Sequence, residues 1–409
     1  MSVAINEQSR APAERNGDAA RQIGDFRIAR GGPYYDLQRR LGLLREEALH
    51  ARRRAVILVG LAWGVPLGLS AIAGHAIGPA ATRPFLLDLG AWARFFIAIG
   101  IFVLMERLVE ERLRAHLRQF ARAPLLAPAA MPAAAEAVVR ALRRRDLRLA
   151  ELACAITAYA ITLSGAAFLL ASDASSWLVT VGPEGARLTP AGWWCALVSS
   201  PLFWFLLLRW LWRHAVWGLL LHDLAQLELR LVATHLDGAG GLAFIGQYPN
   251  AFAAFVFALS CSLGAAIART LLHGELTPAT YGQLMAAWLV VIIILFGVPL
   301  LAFSKPLRRL KEATLLAASA VATRRERALE RELLGSNMAA AADAEASAAA
   351  DIPDASKLHA TAKKLSTFLI SRAALVPVAA AALLPLVAAG ATQLPLGELL
   401  KIARGLLLL

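Results

Sequence analysis

The amino-acid sequence predicts an all-α integral membrane protein: a helical bundle of six to seven transmembrane helices, several of them extended into a basic cytoplasmic bundle. Three observations lead there. Of 409 residues, 58% are hydrophobic and only 17% charged, against a charged share of roughly 25% in soluble domains. Apolar runs of about twenty residues recur along the chain, each long enough at about 1.5 Å per residue to cross a hydrocarbon core of about 30 Å. Arginines stand in blocks beside alternate ends of those runs, which is the pattern of membrane topology. The formal charge of +13 is accounted for in that way, and no nucleic-acid partner is expected.

Residues 1–54 read as a cytoplasmic tail and an interfacial helix. The first thirty are polar without an apolar period, which predicts a mobile tail. From Pro33, Leu37, Leu41 and Leu44 recur at helical spacing with Arg39, Arg40, Glu46 and Glu47 on other faces, so a short amphipathic helix should lie along the inner membrane surface. No cleavable secretory signal opens the chain, and the first span is expected to act as the insertion signal.

Residues 55–108 form transmembrane hairpin 1. Its first span, Ala55 to Ile77, carries a kink signal at Pro66; its second, Leu86 to Leu108, holds Arg94 inside the apolar run and Glu106 at the far end. Residues 109–149 predict a cytoplasmic helical hairpin, because ERLVEERLRAHLRQF continues the helix into water. A break from Pro124 to Pro132 then precedes a second basic helix. Residues 150–217 form hairpin 2, spans Ala150 to Ala171 and Ala191 to Trp217, with Glu151 at the inner end and a polar loop carrying Asp173 between them.

Residues 218–250 predict a cytoplasmic helix and a glycine-rich turn. Leu220, Leu224, Leu227 and Leu231 form one stripe, and Asp223, Gln226 and Arg230 another face. The alternation from Leu227 to Leu231 would suit a strand, but the longer window favours helix. Residues 251–304 form hairpin 3, spans Ala251 to Leu272 and Leu284 to Phe303, joined by a loop with Glu275. A basic cytoplasmic helix fills 305–335, and 336–366 read as a low-complexity linker. Residues 367–409 supply a seventh transmembrane segment, Phe368 to Gly390, interrupted by Pro377 and Pro385, and a terminal amphipathic piece.

Charge fixes the orientation. Eleven arginines precede the first span, nine lie between Val109 and Leu149, and eleven lysines or arginines between Lys305 and Lys364, whereas the opposite loops hold Arg83, Arg187 and little else. The amino terminus is therefore expected inside. Trp92, Trp193 and Trp194 fall at the outer boundary and Trp210, Trp212 and Trp217 at the inner one. Lys401 and Arg404 fit an outer position less well.

The sharpest local feature is His235-x-Asp237-Gly238-x-Gly240-Gly241. Histidine and aspartate can ligate a metal, and successive glycine amides can approach a phosphate. The alternative is a helix C-cap at Gly238 or Gly240 with Asp237 bonding the turn backbone. Arg209 and Arg213, one turn apart beside Trp210 and Trp212, suit either snorkelling to lipid phosphates or an anion-attracting inner vestibule shared with Arg230, His222 and His235. Arg94 and Arg269 are intramembrane charges that need a partner, water or the outer interface. Glu106 and Glu151 are the expected partners of nearby arginines. Prolines 66, 201, 299, 377 and 385 free backbone carbonyls that a substrate could use or that packing could absorb. The cysteines, Cys154, Cys195 and Cys261, share no spacing, so no disulfide framework or metal site is indicated, and no cofactor or catalytic motif is present.

In AGWW, in the RWLWR run ending at Arg213 and in LELRLVATHLDGAGGL (227–242), the chain resembles a group of uncharacterised bacterial multispanning membrane proteins. Leu236 stands where that group often has proline. The resemblance implies an inner-membrane architecture and carries no activity with it. The functional expectation is a transporter or channel for a small solute or ion, anionic if the arginines line its entrance. The alternative is a membrane-anchored scaffold or sensor whose cytoplasmic helices bind a partner or ligand. Lipid is a partner on either reading, and self-association is compatible with both. A polar cavity reaching mid-bilayer would favour the first, closed apolar packing with a groove at the cytoplasmic end the second.

Overall fold

Helix dominates the architecture, and a short β hairpin is the one sheet among the described residues. The computed structural model describes residues 12–44, 49–77, 83–171, 175–183, 185–272, 277–339, 349–370, 372–392 and 395–408. Glu46, Glu47, Asp173, Glu275 and the centre of the low-complexity run, 340–348, lie outside them. Six helices are long and apolar enough to cross a membrane. Of these, α3 (Ala51–Ile72) packs on α4 (Leu89–Arg122) and α6 (Arg148–Leu170) on α7 (Pro190–Ala225), while α8 (Ala253–Leu272) and α9 (Pro278–Gly297) follow one another in the chain and are joined by the hydrogen bond from Trp288 Nε1 to Ser260 Oγ at 2.8 Å. Helices α1 (Pro12–Gly24) and α2 (Pro33–Arg40) precede them, and α5 (Met131–Arg145) lies between α4 and α6. The hairpin β1 (Val179–Gly182) and β2 (Gly185–Leu188) joins α6 to α7, with Val179 opposite Leu188. After α9 come α10 (Ser304–Leu334), α11 (Ser356–Lys364), α12 (Arg372–Gly390) and α13 (Leu396–Leu408).

The prolines of the spans shape their backbone. Inside α3, α4 and α7 the helix widens to π geometry at Gly60–Gly64, Trp92–Ala98 and Cys195–Ser199. Two of these stretches run directly into proline, which has no N–H to offer the preceding turn. In π geometry the partner of the Leu61 carbonyl would be residue 66, a proline; Trp194 Nε1 donates to that oxygen instead at 2.9 Å. In α geometry the partner of the Leu197 carbonyl would be residue 201, also a proline, and that oxygen accepts from Tyr159 Oη at 3.0 Å. Pro299 turns the end of α9 into a 3-10 stretch, Val298–Phe303, and the freed Leu295 carbonyl accepts from His214 Nε2 at 2.9 Å. Each break is closed by a donor on a neighbouring helix, which ties α3, α6 and α9 to α7.

Beyond the spans, α4 and α7 run on without interruption into a bundle at the basic end. Val109, Leu113, Leu117 and Phe120 on α4 recur every three or four residues and are fully buried, as are Trp217, Leu220 and Leu221 on α7 and Ala134, Ala137 and Ala141 on α5. This is the apolar stripe of an amphipathic helix, here meeting two others. The helical hairpin expected over 109–149 is this pair, α4 and α5.

Four expectations need correction. Residues 1–30 do not all form a mobile tail: α1 packs on α4 and α5, and Ile23, Phe26, Ile28 and Ala29 are buried. Too few apolar residues for a core of its own did not preclude a strap across a core supplied by others. The helix after the fourth span ends at Ala225, and 227–231 are extended, with Leu229 bridged to Leu126 and Arg230 N donating to Leu125 O at 2.7 Å. The two-residue alternation described the backbone there, because the proline-rich break at 124–132 offers a second extended segment to pair with. Helix α11 lies within the expected linker and packs on α10. The polar loop expected before α7 holds a β hairpin, Val179–Gly182 with Gly185–Leu188.

The seventh apolar segment forms α12. Its 19 residues extend about 28 Å, and it packs along α8 and α9: a Cβ on Gly264 would stand 3.2 Å from Pro385 O, and Tyr281 Oη donates to Leu386 O at 2.5 Å. Helix α13 stays beside the far end of α9, with Leu399 buried and Ile402 against Gly282.

The stapling of proline-freed carbonyls is open to a double-mutant cycle. Trp194→Phe is expected to destabilise the detergent-solubilised protein by about 1 kcal/mol, the usual scale of an interhelical hydrogen bond. The loss should shrink when Pro66→Ala supplies an N–H to the same turn, as read from thermal unfolding of the four proteins.

Candidate functional site

Where the spans meet the basic bundle, the structure gathers its deepest charges. Arg54 on α3, Glu106 on α4, Glu151 on α6, and Arg209 and Arg213 on α7 are all buried. Glu106 takes Arg54 on one oxygen at 2.5 Å and Arg213 on the other at 3.4 Å, with Arg209 at 3.8 Å. Glu151 Oε1 accepts from Arg209 Nε at 2.7 Å. Three guanidinium groups thus face two carboxylates, so one positive charge is in excess. Charges removed from water to this degree persist only when paired and hydrogen-bonded, since their desolvation costs several kcal/mol apiece.

The amino-terminal strap supplies the remaining partners. Arg213 Nη2 donates to Ala29 O at 2.7 Å and Arg209 Nη2 to Gly31 O at 3.1 Å, while Tyr34 N donates to Glu151 Oε2 at 2.7 Å. Ala29 N reaches Glu110 at 3.2 Å, and Glu110 also holds Arg30 and Arg114. The Tyr34 ring lies 5.0 Å from the Arg209 guanidinium, and Trp210 lies 5.2 Å from that of Arg213, geometries in which a cation is attracted to the ring face. The strap turns at Gly31 and Gly32, whose φ angles are 109° and 87°. A side chain at residue 32 would stand 2.6 Å from Glu151 Oε1, so glycine is required there for both reasons. Beside this knot Arg54 Nε is buried with no hydrogen-bond partner among the described residues, and the Gln38 side chain stands against the Tyr34 hydroxyl. Burial pushes the Tyr34 hydroxyl up, against the lowering influence of Arg209 and Arg54.

Of the residues singled out in sequence, Arg209 and Arg213 lie at the centre of this knot, and the structure adds Arg54, Tyr34, Gln38, Gly31 and Gly32. The sequence signals for these were faint: a Gly-Gly-Pro turn, and carboxylates placed at the inner ends of two spans. Arg230 is exposed on the extended segment and makes no contact with the knot among the described residues. Arg94 donates back to Gly90 O at 3.1 Å, near the far end of α4. Arg269 falls in the last turn of α8, and its side chain lies outside the described residues.

The glycine turn is a separate unit. Asp237 Oδ1 accepts from the amides of Ala239 at 2.9 Å and Gly241 at 3.0 Å, and Oδ2 from Ala243 at 3.0 Å. Gly238, Gly240 and Gly241 have φ of 64°, 68° and 99°, the left-handed region that lets consecutive amides converge. The amides that could cradle a phosphate are therefore taken by an internal carboxylate. His235 Nδ1 lies 2.9 Å from Asp237 Oδ1. Asp237 stands twelve residues past the end of α7, so the turn is not the C-cap of that helix and instead closes on itself through the Asp237 carboxylate. Among the described residues no group of three or more histidine, cysteine or acidic side chains is arranged to hold a metal ion.

Comparison of the chain with protein-family models, with curated proteins and with solved structures finds no match.

Two outcomes test this geometry. Glu106→Gln leaves three buried guanidinium groups with one carboxylate and is expected to destabilise by about 3 to 5 kcal/mol, the scale of a broken buried pair; exposed Glu111→Gln should be close to neutral, both read by thermal unfolding. At Asp237 burial works against the charged form, but the Ala243, Ala239 and Gly241 amides hold the carboxyl below the usual range. A carboxyl lowered by folding lends stability above its unfolded value of about 3.9 and loses it as pH falls through the folded value. Limited proteolysis of the 231–243 segment should thus accelerate only in acid, and Asp237→Asn should be cleaved faster at neutral pH with that acid dependence removed.

Proposed function

We propose that the chain is a membrane-anchored recognition protein, a scaffold or sensor, with its basic end and amino terminus in the cytoplasm of a bacterial inner membrane. The observation that carries this reading is the contrast between the two halves of the molecule. Among the described residues the interior of the spans is packed with aromatic side chains, Phe102, Phe203, Phe255, Phe252 and Phe296 with Trp210. The backbone carbonyls freed by Pro66, Pro201 and Pro299 are bonded to Trp194, Tyr159 and His214.

At the basic end the picture reverses. A groove of about 890 Å³ opens between the strap, α3 and α4, and one of about 390 Å³ between the extended segment and α10. Arg209 and Arg213 are buried and donate to carbonyls of the strap, which weighs against their lining an entrance. Such a design presents charged surface to a partner while the spans hold it at the membrane. The abundance of arginine at this end also supports the cytoplasmic assignment, since guanidinium groups resist translocation.

Transport of a small solute or ion is the competing reading, and flux decides between them. Proteoliposomes containing the purified protein are expected to pass neither anions nor cations above the protein-free rate. A gradient-driven flux that Arg209→Ala or Arg213→Ala abolishes would replace the recognition role with transport.

A further inference from the structure

The larger groove carries a chemistry of its own. Five arginines line it, Arg30, Arg52, Arg53, Arg107 and Arg114, together with Leu104. Two carboxylates share the space, and both are engaged. Glu110 accepts from Ala29 N and holds Arg30 and Arg114 at 3.1 and 3.4 Å, and Glu111 pairs with Arg107 at 2.7 Å. Arg52 and Arg53 are exposed and have no carboxylate at salt-bridge distance among the described residues, so the groove carries uncompensated positive charge.

Helical spacing joins this charge to an apolar surface. Arg52 and Val56, and Arg53 and Ile57, stand four residues apart on α3; Leu104 lies three residues before Arg107 and seven before Glu111 on α4, so each set shares a helix face. Val56 is 73% exposed, and Ile57, Leu104 and Leu108 are 40%, 47% and 41% exposed. These side chains form an outward strip on membrane-crossing helices, directly below the arginines. A molecule filling the groove would meet guanidinium groups at one end and a greasy helix face at the other.

We propose that this groove binds one anionic glycerophospholipid of the surrounding leaflet, its phosphate held by Arg52 and Arg53 and its acyl chains laid along Val56, Ile57 and Leu104. Arginine matches phosphate in geometry as well as charge, and basic pockets between membrane helices on the cytoplasmic side suit such headgroups. The inference rests on the placement of α3 and α4 in a bilayer, and it assigns to lipid the larger of the two grooves named above, leaving the smaller one beside α10 for a partner.

Native mass spectrometry of the full-length protein, released from nanodiscs of equal phosphatidylglycerol and phosphatidylcholine, tests it. The wild type should retain phosphatidylglycerol in preference, and the Arg52→Gln/Arg53→Gln protein should lose that preference by about 10- to 30-fold, as two surface arginines imply. The Arg52→Lys/Arg53→Lys protein, which keeps the charge and loses the paired N–H geometry, should fall between the two, and Arg324→Gln/Arg325→Gln, remote on α10, should keep all of it. Glycerol 3-phosphate, the headgroup without chains, should not displace the lipid. Equal retention of both lipids by wild type overturns the site. An equal loss in the α10 variant, or displacement by glycerol 3-phosphate, overturns it as well. Retention of neither lipid overturns it through the bilayer placement, a failure distinct from the others.

Discussion

The structure depends on how five charged side chains are kept out of water. Arg54, Glu106, Glu151, Arg209 and Arg213 come from four of the helices long and apolar enough to cross a membrane and meet at one level of the bundle. Left uncompensated, any one of them would favour separation of those helices; joined, they fix the helices in register. The pairs alone do not suffice, because one guanidinium is in excess and the three arginines together have more N–H donors than the two glutamates have acceptor sites. The carbonyls of Ala29 and Gly31 complete the set. A segment of low hydrophobicity is thereby ordered across the end of the spans, with Phe26 anchored against Trp217 at 5.8 Å between ring centroids.

A second economy runs through the spans themselves. Proline in a membrane helix exposes carbonyls that lipid cannot satisfy, and here indole, phenol and imidazole donors from adjacent helices take them. Helix α7 takes part in all three of these contacts and also carries Arg209 and Arg213, so one helix organises both the apolar and the charged parts of the bundle. The π-helical widening at Gly60–Gly64 and Cys195–Ser199 is the backbone's adjustment to the same prolines.

Much of this was legible in the sequence. Apolar runs and arginine blocks marked the six helices, because burial in lipid and charge asymmetry act over twenty residues at a time and leave long signals. Glu106 and Glu151 pointed to nearby arginines, since a carboxylate at the end of an apolar run needs a cation. What escaped was non-local. The strap looked structureless because its partners, Glu110, Glu151, Arg209 and Arg213, lie 81 to 184 residues away. The alternation of Leu227 to Leu231 was read against a helical window, and only the pairing of Leu229 with Leu126 decides the matter. Arg54 looked like one of three topological arginines, and nothing in RRR distinguishes the one that turns inward from the two that face the groove.

Amide hydrogen exchange in nanodiscs addresses the central claim, that the amino-terminal strap is locked onto buried charge. The account predicts that the amides of Ala29 and Tyr34, bonded to Glu110 and Glu151, exchange as slowly as the buried turns of α7, over minutes to hours. Exchange within seconds at both positions, at the rate of open chain, would contradict it.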